Sequence, residues 1–342
     1  MLIFVLIFAL ILVLFKVFDK SEENYKRCVK SEIYIETTEE IIRREKTVKI
    51  IKYIVCYSFL TFMALFMIFP FYWMINTSLK TPEEISQVVP TFFPKNITIT
   101  NYRYVVDLPY QLELSGKNPN DLSKASFNIW RLMYNTLIVG VWSTLGTLVT
   151  TVMGAFAFSR IKFIGREIIF TIFLATMMIP GEMMMITNYI TVTARLGGMN
   201  KYWSMIIPFL ISVYYIYLLR QNFKQIPDEL YYAAKVDGTS DFKYLLKIMI
   251  PIAMPTIITI TILKLMGAWN SYVWPAMVVQ KKDMYLITQG LREGFTMGAE
   301  GTQSNTGQQM AAATVVLAPL LIVFMALRKY IMRGVSRSGI KG

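Results

Sequence analysis

The chain has 342 residues, of which 55% are hydrophobic and 17% charged, and its formal net charge is +13 at pH 7. So little charge at this length is typical of a membrane protein rather than of a soluble domain. The chain has no histidine and no phosphate-binding loop, because Gly116-Lys117 is followed by Asn118. We therefore predict no catalytic residue, no metal site and no cofactor bound by this chain itself. A membrane enzyme with an Asp- or Ser-based site is the alternative that these absences leave open.

The N-terminal region precedes the main apolar segments. Residues 1–18 are almost wholly apolar and just long enough to span a bilayer, so we expect an uncleaved anchor with its N-terminus outside. A secretory signal is the alternative, although the basic start and the small-residue cleavage site are missing. Residues 19–51 carry mixed charge and are either an interfacial helix or a solvated linker. We accordingly divide the chain into residues 1–51 and a transmembrane domain at 52–342.

Six further apolar segments have the length of membrane spans. They lie at 52–75, 133–156, 167–189, 203–219, 248–268 and 309–328. The prediction is an all-α polytopic membrane protein, with a six-span core and one extra N-terminal transmembrane helix. In the second of these segments Gly146, Thr150 and Gly154 recur at every fourth residue, a spacing that lets two membrane helices pack closely.

The basic residues predict the orientation of the spans. The segments 19–51, 159–166, 220–247 and 328–342 hold 21 of the 35 Lys and Arg residues, whereas the segments on the other side hold 11. Cytoplasmic loops carry the excess of basic residues, so the first group and the C-terminus are predicted to be cytoplasmic. Since the basic residues lie mainly between apolar segments, this orientation signal explains them better than a nucleic-acid partner does.

The cytoplasmic loop at 226–247 is predicted to be a helix, a sharp turn and a second helix. Pro227 fits the first position of the first helix, and Gly238 can adopt the left-handed conformation that ends it. Thr239 or Ser240 can cap the second helix. Four residues fall at i, i+3, i+4 and i+7 on one face that is small in its middle: Leu230, Ala233, Ala234 and Asp237. Such a face lets another surface approach the backbone, so we interpret the loop as a docking element.

The spacing from Ala233-Ala234 to Gly238 and then to Pro251 resembles the EAA loop of ABC importer permeases. Tyr232 occupies the place of the Glu of that motif. Either Glu229 supplies the acidic contact from one turn earlier, or the partner surface differs there. The resemblance implies that coupling to an ATPase involves Glu229, Tyr232, Ala233, Ala234, Asp237, Gly238 and Pro251.

Other strings resemble the carbohydrate-uptake members of that family, which include the second membrane subunit of maltose transporters. They are SLKT at 78–81, Asn135 before Thr136, the string AWNSYVWP at 268–275 and the ending GIKG at 339–342. The resemblance covers about residues 50–342. It implies a non-enzymatic permease in the bacterial cytoplasmic membrane, paired as a heterodimer with a second permease subunit. It also implies an ATPase dimer that binds ATP and Mg, and an extracellular solute-binding protein that delivers a carbohydrate.

The translocation path is predicted from residues at membrane depth. Glu182 and Lys264 are ionisable there and either pair with each other, line the path or snorkel. Trp269, Asn270 and Tyr272 offer contacts that sugars favour, or belong to an interfacial aromatic belt. A secondary transporter driven by an ion gradient is the alternative function, but it predicts internal repeats and several embedded carboxylates. The sequence has no evident repeat, and Glu182 is its main candidate acid.

Overall fold

The computed structural model of the chain describes residues 38–114, 116, 118, 119, 127–296 and 306–336. The predicted anchor at 1–18 and the ending at 339–342 lie outside the described residues. Throughout the described ranges the secondary structure is helical, with no strand, which confirms the all-α prediction. Of the described residues, those from Thr38 to Pro70 belong to one compact unit and those from Phe71 onward to another.

Fifteen α-helices are described, and we number them in chain order. They are α1 Thr38–Ser78, α2 Pro82–Ile85, α3 Thr100–Val106, α4 Leu108–Leu114, α5 Ile129–Ser159, α6 Arg166–Thr176, α7 Met185–Ile190, α8 Tyr202–Ile206, α9 Val213–Lys224, α10 Asp228–Val236, α11 Asp241–Tyr244, α12 Ile250–Trp269, α13 Val273–Val278, α14 Ile287–Thr296 and α15 Thr306–Ser336. Short 3₁₀ or π segments follow α6, α7, α8, α11 and α13.

Four helical stretches are long and apolar enough to cross a membrane: Lys46–Ser78, Ile129–Ser159, Asp241–Trp269 and Thr306–Ala326. Two bent helix pairs are each long and apolar enough when both members are taken together: Arg166–Thr176 with Gly181–Arg195, and Tyr202–Phe209 with Val213–Lys224. The described chain therefore has four candidate spans, or up to six if each bent pair is one span. Each of the six segments predicted at 52–328 corresponds to one of these stretches or pairs.

The first span begins earlier than predicted. Helix α1 starts at Thr38 and continues through residues 51 and 52, so the predicted domain boundary falls inside a helix. The reason is local, because residues 38–69 contain no Gly or Pro and the charged residues at 39–49 are mostly good helix formers. Within the described residues the charged segment is thus the beginning of α1.

The segments predicted at 167–189 and 203–219 are broken rather than continuous. The first bends by 85° between Thr176 and Gly181, where Pro180 cannot donate a backbone hydrogen bond, and the second bends by 46° after Phe209. In contrast, Pro251 and Pro255 do not end their helix, which continues to Trp269. A π segment, Leu245–Met249, directly precedes Pro251.

Helix α5 packs closely against the second bent pair. A Cβ atom added at Gly146 would lie 2.5 Å from Leu210, and one added at Gly154 would lie 3.2 Å from Ile216. Between them, the Thr150 hydroxyl donates a hydrogen bond of 2.6 Å to the carbonyl of Leu210. These contacts confirm the predicted close packing of the small-residue stripe.

A second threonine of α5, Thr147, donates a hydrogen bond at the bend after Phe209. A break in a spanning helix frees backbone carbonyls that must find partners inside the protein. The Phe209 carbonyl accepts from Thr147 Oγ1 at 3.3 Å and from Lys264 Nζ at 3.0 Å. Side chains of α5 and α12 therefore satisfy the carbonyls at the bend.

Candidate functional site

The predicted helical hairpin is present as α10 and α11. Pro227 is extended (φ −56°, ψ 140°) and lies one position before the helix, which begins at Asp228, so the predicted helical position of Pro227 is wrong by one residue. Asp228 and Glu229 occupy the first turn, where negative charge is favourable. Ser240 is the residue that caps α11, since its hydroxyl accepts a hydrogen bond of 3.4 Å from the backbone of Lys243.

The turn between the two helices depends on a left-handed glycine. Gly238 has φ +70°, a value that favours glycine over any residue with a Cβ atom. Its N–H donates to the Lys235 carbonyl at 3.0 Å, and the N–H of Thr239 donates to the Ala234 carbonyl at 2.9 Å. These two bonds make a Schellman motif, which confirms the predicted helix end.

Polar side chains join the two helices of the hairpin. The carboxylate of Asp241 accepts from the Tyr231 hydroxyl at 2.8 Å and lies 2.7 Å from Lys235 Nζ. The hydrogen bond to Asp241 raises the pKa of Lys235, which favours the charged form of the lysine in this pair. The Tyr231 ring also meets the edge of Tyr244, with centroids 5.1 Å apart. The hairpin is therefore braced internally, independently of any partner.

The residues predicted to share one face of α10 do not all face the same way: one is buried in the core and the others are exposed. Ala234 is buried against the apolar cluster that includes Tyr244 and Met249. The remaining predicted positions, with their neighbours at helical spacing, are exposed and form what we call the outward face: Glu229, Leu230, Tyr232, Ala233, Val236 and Asp237. At about 100° per residue, Ala234 falls on the inner side with Tyr231. Ala234 thus lets α10 approach its own bundle, whereas Ala233 remains accessible.

Tyr232, the departure from the motif, has a partner that sequence reasoning missed. Lys162 Nζ lies 3.3 Å from the Tyr232 hydroxyl and 5.7 Å from the ring centroid. The two residues are 70 positions apart in the sequence, and Lys162 belongs to no recognisable motif, so no sequence pattern indicated this contact. Glu229, by contrast, makes no ion pair or side-chain hydrogen bond within the part of the chain that the structure describes.

Two buried arginines fasten the base of the hairpin to the membrane helices. Arg160, just after α5, donates from Nη2 to the carbonyls of Phe223 (3.0 Å) and Ile226, and its Nη1 pairs with Asp228. Arg220, in α9, donates from Nε to the Phe158 carbonyl at 3.0 Å. Arg160 thus binds carbonyls at the end of α9, and Arg220 binds a carbonyl at the end of α5. We call these two arginines the arginine clasp.

The clasp is also supported by charge. Arg220 Nη2 contacts both carboxylate oxygens of Glu167, at 2.8 and 2.6 Å, and its guanidinium carbon lies 3.9 Å from the Phe170 ring centroid. The side chains of Arg160 and Arg220 are each only 4% exposed. Because helix C-termini carry partial negative charge, two cations at these ends are favourable. From sequence, both arginines contributed only to the count of basic residues that predicted the orientation.

The two ionisable residues predicted at membrane depth do not pair. Glu182 is exposed in the 3₁₀ segment Gly181–Met184 at the 85° break. Lys264 donates to the Phe209 carbonyl instead, and no ion pair joins it to Glu182 among the described residues. Of the alternatives predicted for these two residues, mutual pairing is therefore wrong for this structure.

The aromatic and amide candidates for the path lie in different surroundings. Trp269 is nine-tenths buried in a cluster with Leu132 and Ala311. Asn270 is exposed at the end of α12 and donates to the Met266 carbonyl at 2.9 Å. The Tyr272 ring faces the Arg292 guanidinium, 4.9 Å from its centroid. Trp269 accordingly packs in the core rather than in an open belt.

An open apolar groove lies between α5 and α8. Its lining residues are Trp142, Leu145, Gly146, Val149, Trp203, Ile206, Ile207 and Leu210. No polar side chain contributes to this lining, so the groove suits an apolar neighbour rather than a sugar. Within the described ranges, no three His, Cys, Asp or Glu residues are grouped so that they could hold a metal ion.

Comparisons with known proteins agree on one family. Residues 129–337 match the family described as binding-protein-dependent transport system inner membrane component. The arabinooligosaccharides transport system permease protein AraQ of Bacillus subtilis (strain 168) is 26% identical over 286 residues, 83% of this chain and 94% of that protein. The sn-glycerol-3-phosphate transport system permease protein UgpE of Salmonella typhi is 27% identical over 215 residues, 63% of this chain and 75% of that protein.

A solved structure is similar over most of the chain. The crystal structure of a bacterial ABC transporter involved in the import of the acidic polysaccharide alginate has a chain with 25% sequence identity and a TM-score of 0.67. The similarity covers 82% of this chain and 96% of that one. The family match itself begins at the start of α5 and includes the arginine clasp, the hairpin and the whole of α15.

Proposed function

Because the chain belongs to the family of binding-protein-dependent transport system inner membrane components, we propose that it is a permease subunit of an ATP-driven carbohydrate importer. It would form the membrane pathway as a heterodimer with a second permease subunit. An external solute-binding protein would deliver the carbohydrate, and a dimer of ATPase subunits would bind ATP and Mg on the cytoplasmic side. The hairpin and the C-terminus would face the cytoplasm.

One observation carries this proposal: the hairpin is braced on its inner side and open on its outward face. Glu229, Ala233 and Asp237 are exposed together, while Tyr231, Lys235 and Asp241 are used within the hairpin. A rigid element with one free face is suited to fit a cleft in a partner and to move with it. Alanine at position 233 would permit the partner to approach the helix backbone closely.

We further propose that the arginine clasp carries this movement into the membrane. Arg160 contacts Asp228 at the start of the hairpin and the carbonyls at the end of α9. Arg220 of α9 in turn binds the Phe158 carbonyl at the end of α5. A displacement of the hairpin would therefore shift the ends of α5 and α9 together, and these helices belong to two of the candidate spans.

An oligosaccharide is the proposed class of substrate. It is supported by the names of similar proteins, which concern arabinooligosaccharides and the polysaccharide alginate. Because the chain is also similar to a glycerol-phosphate permease, a polyol phosphate is the second ligand to test for binding to the solute-binding protein. Retention of one of these by the solute-binding protein that works with this chain would identify the substrate.

The docking role is tested by enlarging Ala233. The variant Ala233→Trp should insert into the membrane normally but lose ATP-driven uptake and co-purification with the ATPase, because the indole would fill the space needed by the partner. The matched control is Val141→Trp, at an exposed apolar position of α5. Normal ATP-driven uptake by Ala233→Trp would contradict the proposal.

The energy source separates this function from an ion-gradient transporter. The full assembly in vesicles should take up substrate only when ATP is supplied on the side of the ATPase. Dissipation of ion gradients should leave this uptake unchanged. Substrate accumulation by this chain alone, without ATP, would instead establish the secondary transporter.

A further inference from the structure

The loop that follows α2 presents a row of apolar side chains outward. We call residues 86–99 the 86–99 loop. Val88 is 99% exposed and Phe93 is 74% exposed, so the described part of the chain leaves Val88 open and covers only one side of Phe93. The other large exposed apolar residues of the loop are Val89, Phe92, Ile97 and Ile99. Six large apolar side chains exposed within one loop indicate contact with a membrane or another protein.

Hydrogen bonds from the other side of the loop fix this orientation. The carbonyl of Phe92 accepts from the Tyr72 hydroxyl and from Asn76 Nδ2. Lys80 Nζ donates to the carbonyl of Thr91. Polar side chains therefore hold the loop backbone at residues 91 and 92, while the large apolar side chains of the loop remain exposed.

A buried carboxylate adds to these bonds. Glu84 accepts from the Thr91 hydroxyl and, with both oxygens at 3.1 Å, from the backbone N–H of Lys95. The Thr91 hydrogen bond is the main cause that lowers the pKa of Glu84, which keeps it ionised as an acceptor. The loop is thus anchored at residues 91, 92 and 95, between its exposed apolar positions.

The position of the loop along α1 indicates what covers it. Phe92 meets the edge of Trp73 with ring centroids 6.0 Å apart, and Phe93 meets the edge of Tyr72 at 6.3 Å. The candidate span ends at Ser78, so these contacts are roughly 8–9 Å back from its end at about 1.5 Å per residue. A position near the end of a membrane span is where aromatic side chains concentrate, at the boundary between headgroups and hydrocarbon.

We infer that the 86–99 loop inserts its apolar side chains into the interfacial layer of the bilayer, and that its partner is lipid. Val88, Phe92 and Phe93 would contact acyl chains beside the end of α1. The exposed Lys95 would reach the headgroups with its charged end. This inference depends on the chain spanning a membrane and not on its substrate or energy source.

Site-directed spin labelling of the full assembly in lipid nanodiscs tests the inference. Single cysteines would be introduced as Val88→Cys and Phe93→Cys in a background with Cys28→Ser and Cys56→Ser. Asn96→Cys provides the matched control, because Asn96 is an exposed polar residue of the same loop. Oxygen partitions into lipid and a nickel chelate into water. We expect the ratio of oxygen to nickel accessibility to be several-fold higher at 88 and 93 than at 96.

Either of two other results would overturn the inference. High nickel accessibility at 88 and 93 would place the loop in water, and shielding from both reagents would place it against another subunit. Phe93→Cys removes a ring contact with Tyr72, but Val88 is fully exposed, so Val88→Cys gives an independent reading without loss of packing. Loss of ATP-driven uptake with unchanged accessibility would concern the proposed function alone.

Discussion

Individual residues at the base of the hairpin differ greatly in what they contribute. Arg160 is buried and bonds to two backbone carbonyls, whereas its carboxylate partner Asp228 has a side chain that is 70% exposed. A buried acceptor left without a donor costs about 1–3 kcal/mol, while an exposed ion pair is worth about 1 kcal/mol or less. The carbonyls of Phe223 and Ile226 therefore matter more to the clasp than the carboxylate.

The variants Arg160→Met and Asp228→Asn separate these contributions. We expect Arg160→Met to lower the thermal stability of the purified assembly and to reduce the uptake obtained per ATP hydrolysed. Asp228→Asn should change both quantities only slightly. The measurements are a thermal melt and parallel assays of uptake and hydrolysis. Equal losses in the two variants would show that the surface ion pair, not the carbonyls, holds the hairpin.

Recognition at the outward face is expected to depend on Glu229 more than on Tyr232. Glu229 has no partner among the described residues, whereas the Tyr232 hydroxyl already contacts Lys162 at 3.3 Å. Glu229→Gln should weaken co-purification of the ATPase, because it removes an unpaired charge. Tyr232→Phe should have little effect, since it removes only one exposed hydrogen bond. A larger loss of co-purification in Tyr232→Phe than in Glu229→Gln would indicate that the partner contacts the tyrosine hydroxyl.

The anchoring of the 86–99 loop is expected to fail in acid. The pKa of Glu84 is lower in the folded chain than its ordinary value of 4.5, chiefly because of Thr91. Its stabilising contribution is therefore complete above that ordinary value and is lost as the pH falls through the folded pKa. Proteolytic cleavage within the loop should rise only below about pH 4.5. Glu84→Gln should show raised cleavage at neutral pH, and an unchanged rate would contradict the anchoring role.

At the scale of the elements, the hairpin depends on backbone conformation at its turn. A Cβ atom at Gly238 would meet nothing within 4 Å, so the only obstacle to a side chain there is the φ of +70°. That strain is worth roughly 1–2 kcal/mol. The turn, rather than packing, thus makes glycine the suitable residue at this position.

The pair Gly238→Ala and Gly267→Ala isolates this effect. Gly267 lies inside α12, and a Cβ atom there also meets nothing within 4 Å. Gly238→Ala should destabilise the hairpin and reduce coupled uptake, whereas Gly267→Ala should be neutral or stabilising by up to about 1 kcal/mol. Hydrogen exchange over residues 226–247 measures the first effect. Equal protection of the hairpin in both variants would count against the role of the left-handed turn.

Sequence patterns predicted these elements where the signal was local. The end of α10 at Gly238, the cap at Ser240 and the packing of Gly146 and Gly154 follow from short-range chemistry. The inward position of Ala234 was missed because the predicted face took Ala233 and Ala234 as equivalent, and helix geometry separates them by 100°. The clasp was missed because Arg160 and Arg220 reach the carbonyls that they bind only after α5 and α9 pack together.

At the scale of the whole molecule, hydropathy identified the apolar segments but not their bends. The sequence predicts a break or kink at Pro180-Gly181, Pro251 and Pro255 alike. The 85° bend lies at the first of these, whereas Pro251 and Pro255 lie inside a continuous helix. A proline is tolerated where neighbouring groups or a π turn satisfy the freed carbonyl. The distinction depends on tertiary contacts that a single sequence does not contain.

Sidedness is the prediction that belongs to this scale. If the charge rule holds, residues 236 and 96 lie on opposite sides of the membrane. Val236→Cys should react with an impermeant thiol reagent only after the cells are opened, and Asn96→Cys should react in intact cells. Cys28→Ser and Cys56→Ser remove the background. Labelling of Val236→Cys in intact cells would place the hairpin outside and exclude contact with a cytoplasmic ATPase.

The openness of the outward face also bears on how the subunits must be produced. Val236 is 88% exposed, and Phe242 on the neighbouring helix is also exposed. A copy synthesised in excess of its binding partners would keep these side chains in water, where they invite aggregation and recognition by chaperones and proteases. Balanced expression of the subunits, and not only the folding of each one, would then determine how many finished assemblies a cell retains.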